Sequence, residues 1–312
     1  MSRVILRTMP PIATTVARRP GPRIVVYHQT HYDSSGRFVS VLPLLHNNTG
    51  TTHVIIAAVH LHAGAPSRIH LNNDAYDSPR LEALWAECRT LQAGGIRVMA
   101  MLGGACPGSF PPLDGDADLF ETHYLPLATM LRSRALDGLD LDVEERMSLP
   151  GVVRLIDRLK NDFGADFIVT LAPVATALMP GNRRQLSGFS YFELEKAFAR
   201  HIDWYNVQFY CGWASLESVD DFLAIVDAGF DASRVVVGVS THPKWGKGWL
   251  PDEMLAGTLS TIVEVFPALS GVMAWEYHES FTQREGEGRP WAWAGLMSEV
   301  LLKQENNYKT GM

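Results

Sequence analysis

The chain has 312 residues, 46% of them hydrophobic and 20% charged, the balance of an ordinary globular protein with a sizeable core. Its net charge of −7 comes without basic clusters, which argues against nucleic acid and anionic membrane as partners. No apolar run reaches the length of a membrane span, and the three cysteines (Cys88, Cys106, Cys211) provide neither a disulfide framework nor a metal-ligand spacing.

Residues 1–22 read as a flexible lead-in, with Pro10, Pro11, Pro20 and Pro22, no periodicity and no secretory signal, so a cytoplasmic or non-classically secreted protein is expected. A strand follows at 24–28, then a second at 53–59. Ser78-Pro79 opens a helix over 80–93 that Gly94-Gly95 closes. A strand at 96–102, a helix at 120–134, a strand at 136–143 and a helix at 152–163 closed by Gly164 continue the alternation. Strands are predicted again at 167–172, 204–209, 235–239 and 272–277, with helices at 219–228, 254–266 and 291–302. Eight strands alternating with helices predict a single (β/α)8 TIM barrel over 23–305, followed by a tail at 306–312. A doubly wound sheet fits less well, because Gln29-Thr30-His31-Tyr32 after the first strand is no Gly-rich phosphate turn.

The fourth strand carries the chemistry. Asp140, Asp142 and Glu144 share one face by strand alternation, and Leu139, Leu141 and Val143 fill the other. Three acids on one face of an apolar strand are costly to desolvate and repel one another, an arrangement that shifts pKa values as catalysis requires. The rival reading, a metal-binding or solvated acidic turn, fits poorly with leucines interleaved at strand period. In a barrel, active residues sit at the carboxyl ends of strands, where Asp142 and Glu144 fall. Other strand ends are equally polar or aromatic: Tyr27 and Gln29, Gly103-Gly104, Gln208 and Tyr210, and Trp275. The glycine pair would let a ligand or side chain approach the backbone closely.

The run Asp137-Gly-Leu-Asp140-Leu-Asp142-Val-Glu144 resembles the DxxDxDxE signature of glycoside hydrolase family 18. Gly103-Gly104, Gln208-Phe-Tyr210 and Trp275 follow in that family's usual order, and the resemblance covers nearly the whole chain after the lead-in. Within the family the chain is most similar to fungal endo-β-N-acetylglucosaminidases, through Gly-Gly-Ala-Cys-Pro-Gly-Ser-Phe (103–110), Leu-Asp-Leu-Asp-Val-Glu-Glu-Arg-Met-Ser (139–148) and Asp-Trp-Tyr-Asn-Val-Gln-Phe-Tyr (203–210). Two positions depart from the wider family: Cys211 stands where its chitinases usually carry Asp or Asn, and Val143 where many carry an aromatic.

The resemblance implies hydrolysis of the β-1,4 bond in the diacetylchitobiose core of N-glycans, on glycoproteins or free oligosaccharides, by a monomer with no cofactor or metal. It implies Glu144 as general acid and then base, Asp142 as the group orienting the substrate's 2-acetamido nucleophile, and Asp140 sharing a proton with Asp142. Tyr210 would donate to the acetamido oxygen and Trp275 would floor the sugar site. Gln208, Tyr27, Gly103 and Gly104 would complete the substrate-binding set, and Asp137 would hold the strand end. A chitinase acting on N-acetylglucosamine oligomers and a chitinase-like lectin are the rival readings. His28, His31, His60 and His62 are expected at the cleft or surface, without a metal-ligating role. Glu145 and Glu276 are expected to turn away from the lumen and form salt bridges behind the barrel. Tyr32, His62, Trp213 and Trp245 are the expected sugar-stacking groups.

Overall fold

The computed structural model describes residues 21–181, 185–280, 282 and 288–310, the side chains of 303–310 excepted. The expected lead-in lies outside the described residues apart from Gly21 and Pro22.

The eight barrel strands are β1 (Arg23–His28), β2 (His53–His60), β3 (Arg97–Gly103), β4 (Gly138–Asp142), β5 (Ile168–Leu171), β6 (Trp204–Gln208), β7 (Val235–Ser240) and β8 (Gly271–Trp275). Each pairs in parallel with its neighbours, and β1 pairs with both β2 and β8, which closes the sheet. The fold is a single (β/α)8 TIM barrel. Helices α1 (Leu42–His46), α2 (Glu82–Ala93), α3 (Ala117–Ser133), α4 (Leu149–Phe163), α5 (Tyr191–Phe198), α6 (Asp220–Asp227), α7 (Asp252–Val265) and α8 (Trp291–Thr310) follow the strands.

Strand alternation divides the apolar residues into two groups. The larger lies between strands and helices and takes Leu139 and Leu141 from β4. The smaller fills the lumen with Val25, Tyr27, Ile55, Met99, Met101, Trp204, Val236 and Met273. Side-chain caps fix where helices begin: Asp116 accepts from the Leu119 N–H at 2.9 Å to start α3, and Ser148 from the Gly151 N–H at 3.0 Å to start α4.

Three differences from the sequence reading have physical causes. Helix α1 has five residues, too few to build a readable 3.6-residue period, and α5, of eight residues, also lies outside the predicted helices. A two-stranded hairpin, His70–Leu71 with Asp74–Ala75, extends the end of β2 in antiparallel fashion, each strand being only two residues long. Helix α8 continues to Thr310, past its predicted end at 302 and into the expected tail.

Candidate active site

β4 delivers its carboxylates as alternation requires. Asp140, fully buried, faces the lumen and is held by three uncharged donors. The Tyr27 hydroxyl donates to Oδ2 at 2.7 Å, and the Thr170 hydroxyl and Asn206 Nδ2 donate to Oδ1 at 2.5 and 3.1 Å. Trp204 Nε1 donates to Asn206 Oδ1 at 2.9 Å and so orients that amide. Burial raises the Asp140 pKa against these three hydrogen bonds, which favour the ionised form.

One pleat higher, Asp142 and Glu144 share Gln208. Its Nε2 lies 3.1 Å from Asp142 Oδ1, 3.3 Å from Glu144 Oε1 and 2.9 Å from the Ala172 carbonyl. An amide nitrogen has two hydrogens for these three acceptors, so the carboxylates are under-supplied with donors. Burial raises both pKa values; the charges of Glu144 and then Asp140 add to the rise at Asp142. Among the described residues no lysine or arginine forms an ion pair with any of the three acids. No hydrogen bond joins Asp140 to Asp142 either; Asp140 is occupied by its own donors and Asp142 shares the Gln208 amide with Glu144.

Glu144 sits beyond the last ladder residue of β4, and its N–H donates to the Asp142 carbonyl at 3.1 Å. The same carbonyl accepts from the Gly104 N–H at 2.9 Å. Gly103 has φ +96, and a Cβ there would lie 2.4 Å from the Phe110 ring and 2.5 Å from the Asp142 carbonyl oxygen, so only glycine fits. Tyr210 is buried, its hydroxyl donating to no described residue, and burial with the charges of Asp142 and Glu144 raises its pKa well above the ordinary phenol value. It therefore stays protonated and available as a donor. Trp275 is half-buried at the end of β8, its ring centroid 5.6 Å from that of Tyr27.

Asp140, Asp142, Glu144, Gln208, Tyr210, Tyr27, Trp275 and the glycine pair thus converge on the carboxyl end of the barrel. Tyr27, expected against substrate, has its hydroxyl on Asp140 instead. Asp137 lies at the opposite end of β4, where it accepts from Arg97 Nη1, Gln92 Nε2 and the Val98 N–H at 2.7, 2.8 and 2.8 Å.

Several expectations are corrected. His28 is fully buried and His31 is 5% exposed, because alternation turns His28 away from the lumen, edge-on to Tyr277. Their burial lowers both pKa values, that of His31 to about 4. His62 Nε2 lies 3.1 Å from His70 Nδ1 of the hairpin. Glu145 and Glu276 face away from the lumen as expected, but they bind loop backbone rather than cations. Glu276 accepts from the Gln29 and Thr30 N–H groups, each at 2.9 Å, and from the Thr30 hydroxyl at 2.5 Å. Those loop amides have no ladder partner, and a carboxylate satisfies them. Of the expected stacking aromatics, Tyr32 has Arg80 over one face at 4.3 Å and Trp213 packs on the outer core. Trp245 is 37% exposed and lies in the segment after β7.

Thr170 and Asn206 escaped the sequence reading. Both are polar residues on the lumen face of otherwise apolar strands, one pleat below Ala172 and Gln208, and that pattern was the available signal. Tyr191, buried on α5, also lies close enough for the charges of Asp142, Asp140 and Glu144 to raise its pKa, after burial itself. No local pattern links α5 to β4.

No protein-family model and no curated protein sequence matches the chain. Solved structures do. Chitinase ChiC from Aspergillus fumigatus is 50% identical with a TM-score of 0.82, over 89% of this chain and 99% of that one. A fungal endo-β-N-acetylglucosaminidase from glycosyl hydrolase family 18 is 43% identical with a TM-score of 0.85, over 90% and 98%. The chain belongs to glycoside hydrolase family 18. A family 18 chitinase from Pseudoalteromonas aurantia, 18% identical over 89% and 100%, shares the fold with a TM-score of 0.68. This family 18 chain is accordingly a glycoside hydrolase.

Proposed function

We propose that this hydrolase cuts the β-1,4 bond between two N-acetylglucosamines by substrate-assisted, retaining catalysis. The observation that carries the chemistry is the cation-free pair Asp142 and Glu144 on one Gln208 amide, with raised pKa values. A raised pKa favours the protonated form of Glu144, the form that gives its proton to the departing glycosidic oxygen. The substrate's acetamido carbonyl oxygen attacks the anomeric carbon as the glycosidic bond breaks, giving an oxazolinium ion. Asp142 accepts the acetamido N–H and offsets the positive charge, while Tyr210 donates to the acetamido oxygen. Glu144, now ionised, takes a proton from water as water opens the oxazolinium ring. Trp275 provides the apolar floor. Asp140, ringed by uncharged donors, fixes the field beneath Asp142.

The substrate we advance is the diacetylchitobiose core of N-glycans. The 43% identity to a fungal endo-β-N-acetylglucosaminidase supports it. So does the scarcity of open aromatic rings: among the described residues, Trp245 and Phe192 are the aromatics with large exposure, and Phe192 belongs to α5. A long polymer groove calls for a row of stacking rings. Chitin oligomers are the second reading, favoured by the 50% identity to a chitinase.

The deciding experiment is mass spectrometry of a panel of N-glycoproteins and of chitin oligosaccharides after incubation with the enzyme. A single N-acetylglucosamine left on asparagine, with oligomers intact, is the expected result. Cleaved oligomers with intact glycoproteins would establish the chitinase, and binding without cleavage of either would establish a lectin.

A further inference from the structure

Glu144 stands on irregular backbone. β4 ends at Asp142, so the peptide carrying Glu144 has no strand ladder to hold it. Its own N–H reaches back to the Asp142 carbonyl at 3.1 Å, and the next backbone anchor is the Met147 N–H on the Ser187 carbonyl at 2.9 Å. Between these two anchors lies Glu145.

The Glu145 carboxylate accepts three backbone hydrogen bonds. The Gly108 N–H donates to Oε2 at 2.8 Å, and the Ser109 and Phe110 N–H groups donate to Oε1 at 2.8 and 2.9 Å. These amides end the loop that leaves β3 at Gly104. That loop is fastened at its start too, by the Gly104 N–H on the Asp142 carbonyl and by Phe110 packed where a Gly103 side chain would stand. Ser109 carries the connection to β2 by accepting the Leu61 N–H at 3.3 Å. The loop and the Glu144 peptide therefore hang from one carbonyl, and Glu145 closes the circuit on the far side. Charge-assisted hydrogen bonds to three amides are strong and directional, and a carboxylate on one short segment fixes that segment relative to the loop.

We propose that Glu145 is a positioning residue: its grip on the amides of 108–110 replaces the missing strand ladder and sets where the Glu144 carboxylate meets the glycosidic oxygen. A misplacement of about 1 Å at such a group costs about 10²-fold in rate. The inference rests on Glu144 acting as the general acid.

The test compares Glu145→Ala and Glu145→Gln with the parent, on whichever of the two substrates the parent cleaves. Circular dichroism and melting temperature are recorded for each. Glu145→Ala is expected to lower kcat by about 10²-fold with KM within about threefold of the parent. Glu145→Gln retains a carbonyl acceptor for Ser109 and Phe110, and its kcat should lie about three- to tenfold below the parent. A kcat within about twofold of the parent in folded Glu145→Ala overturns the proposal, as does a loss confined to KM or to melting temperature. Should the alanine variant fail to fold, the glutamine variant decides: a kcat lowered at least about threefold at constant KM supports the proposal, and a parental kcat overturns it. Glu144→Gln, run in parallel, separates the two claims. Retained hydrolysis there refutes the general-acid reading itself.

Discussion

At the amino-terminal end of the barrel, Asp137 meets the Arg97 guanidinium, the Gln92 amide and the Val98 N–H. Asp203 does the same nearby, accepting from Lys160 Nζ at 2.8 Å and the Val169 N–H at 2.9 Å. Each of these carboxylates has a cation and ties down the first residues of a neighbouring strand. Asp140 lies three residues beyond Asp137 in the same chain, yet it meets hydroxyls and an amide and no cation. Asp142 and Glu144 share one Gln208 amide. The same side-chain chemistry is held by an ion pair at one end of the barrel, and at the other is left to uncharged donors and to burial that raises its pKa. A paired carboxylate is a fixture, whereas an unpaired buried one is a group able to move protons.

The largest break in this contrast should come from Glu144→Gln. We expect hydrolysis to fall by about 10³-fold while chitobiose-core binding, measured by calorimetry, changes little. Activity above a few per cent of the parent would remove Glu144 from the acid role. Asp142→Asn should slow breakdown of the oxazolinium by about 10²-fold, more than its formation. Transfer of the glycan to an added sugar acceptor would then outcompete hydrolysis. Equal slowing of both steps would deny Asp142 an orienting function. Tyr210→Phe, which deletes one donor and keeps the ring, should reduce kcat by about tenfold with less effect on KM. An unchanged kcat would take the acetamido contact away from Tyr210.

The two ends should also differ in stability, in opposite senses. Asp137→Ala removes a carboxylate from Arg97 and the Val98 N–H, and should cost about 2 kcal/mol in chemical denaturation. For Asp142 the folded-state pKa is raised, so folding favours the protonated form. That contribution is whole below the unfolded pKa of about 4 and is lost as pH rises through the folded value. Asp142→Asn should therefore melt close to the parent at pH 4 and above it at pH 8, by on the order of 1 kcal/mol. A variant less stable than the parent at pH 8 would mean that Asp142 is held by its surroundings as Asp137 is.

The barrel was legible because its signals are local. Leucine and acid alternate in β4 with period two, and Gly164 closes α4 in sequence as it does in space. Alternation alone also placed Asp140, Asp142 and Glu144 on one face and turned Glu145 and Glu276 off it. Alternation is silent on what an outward side chain will meet. Hence Glu145 and Glu276 were expected to find cations and found loop amides, and His28 was expected near the cleft and is core.

The sequence by itself determined the order of the eight barrel strands and of six of the helices between them, the face each acid occupies, and the family motif that runs through β3, β4, β6 and β8. Those features depend on backbone period and residue type, both of which are written along the chain. Only the tertiary structure decided which acids would be paired with cations and which left to burial and one another. Thr170, Asn206 and Gln208 reach β4 from strands 30 to 66 residues away, as Glu145 reaches a loop 35 to 37 residues back. Closure of the barrel sets those distances, and a carboxylate's proton affinity follows from the neighbours it meets in space.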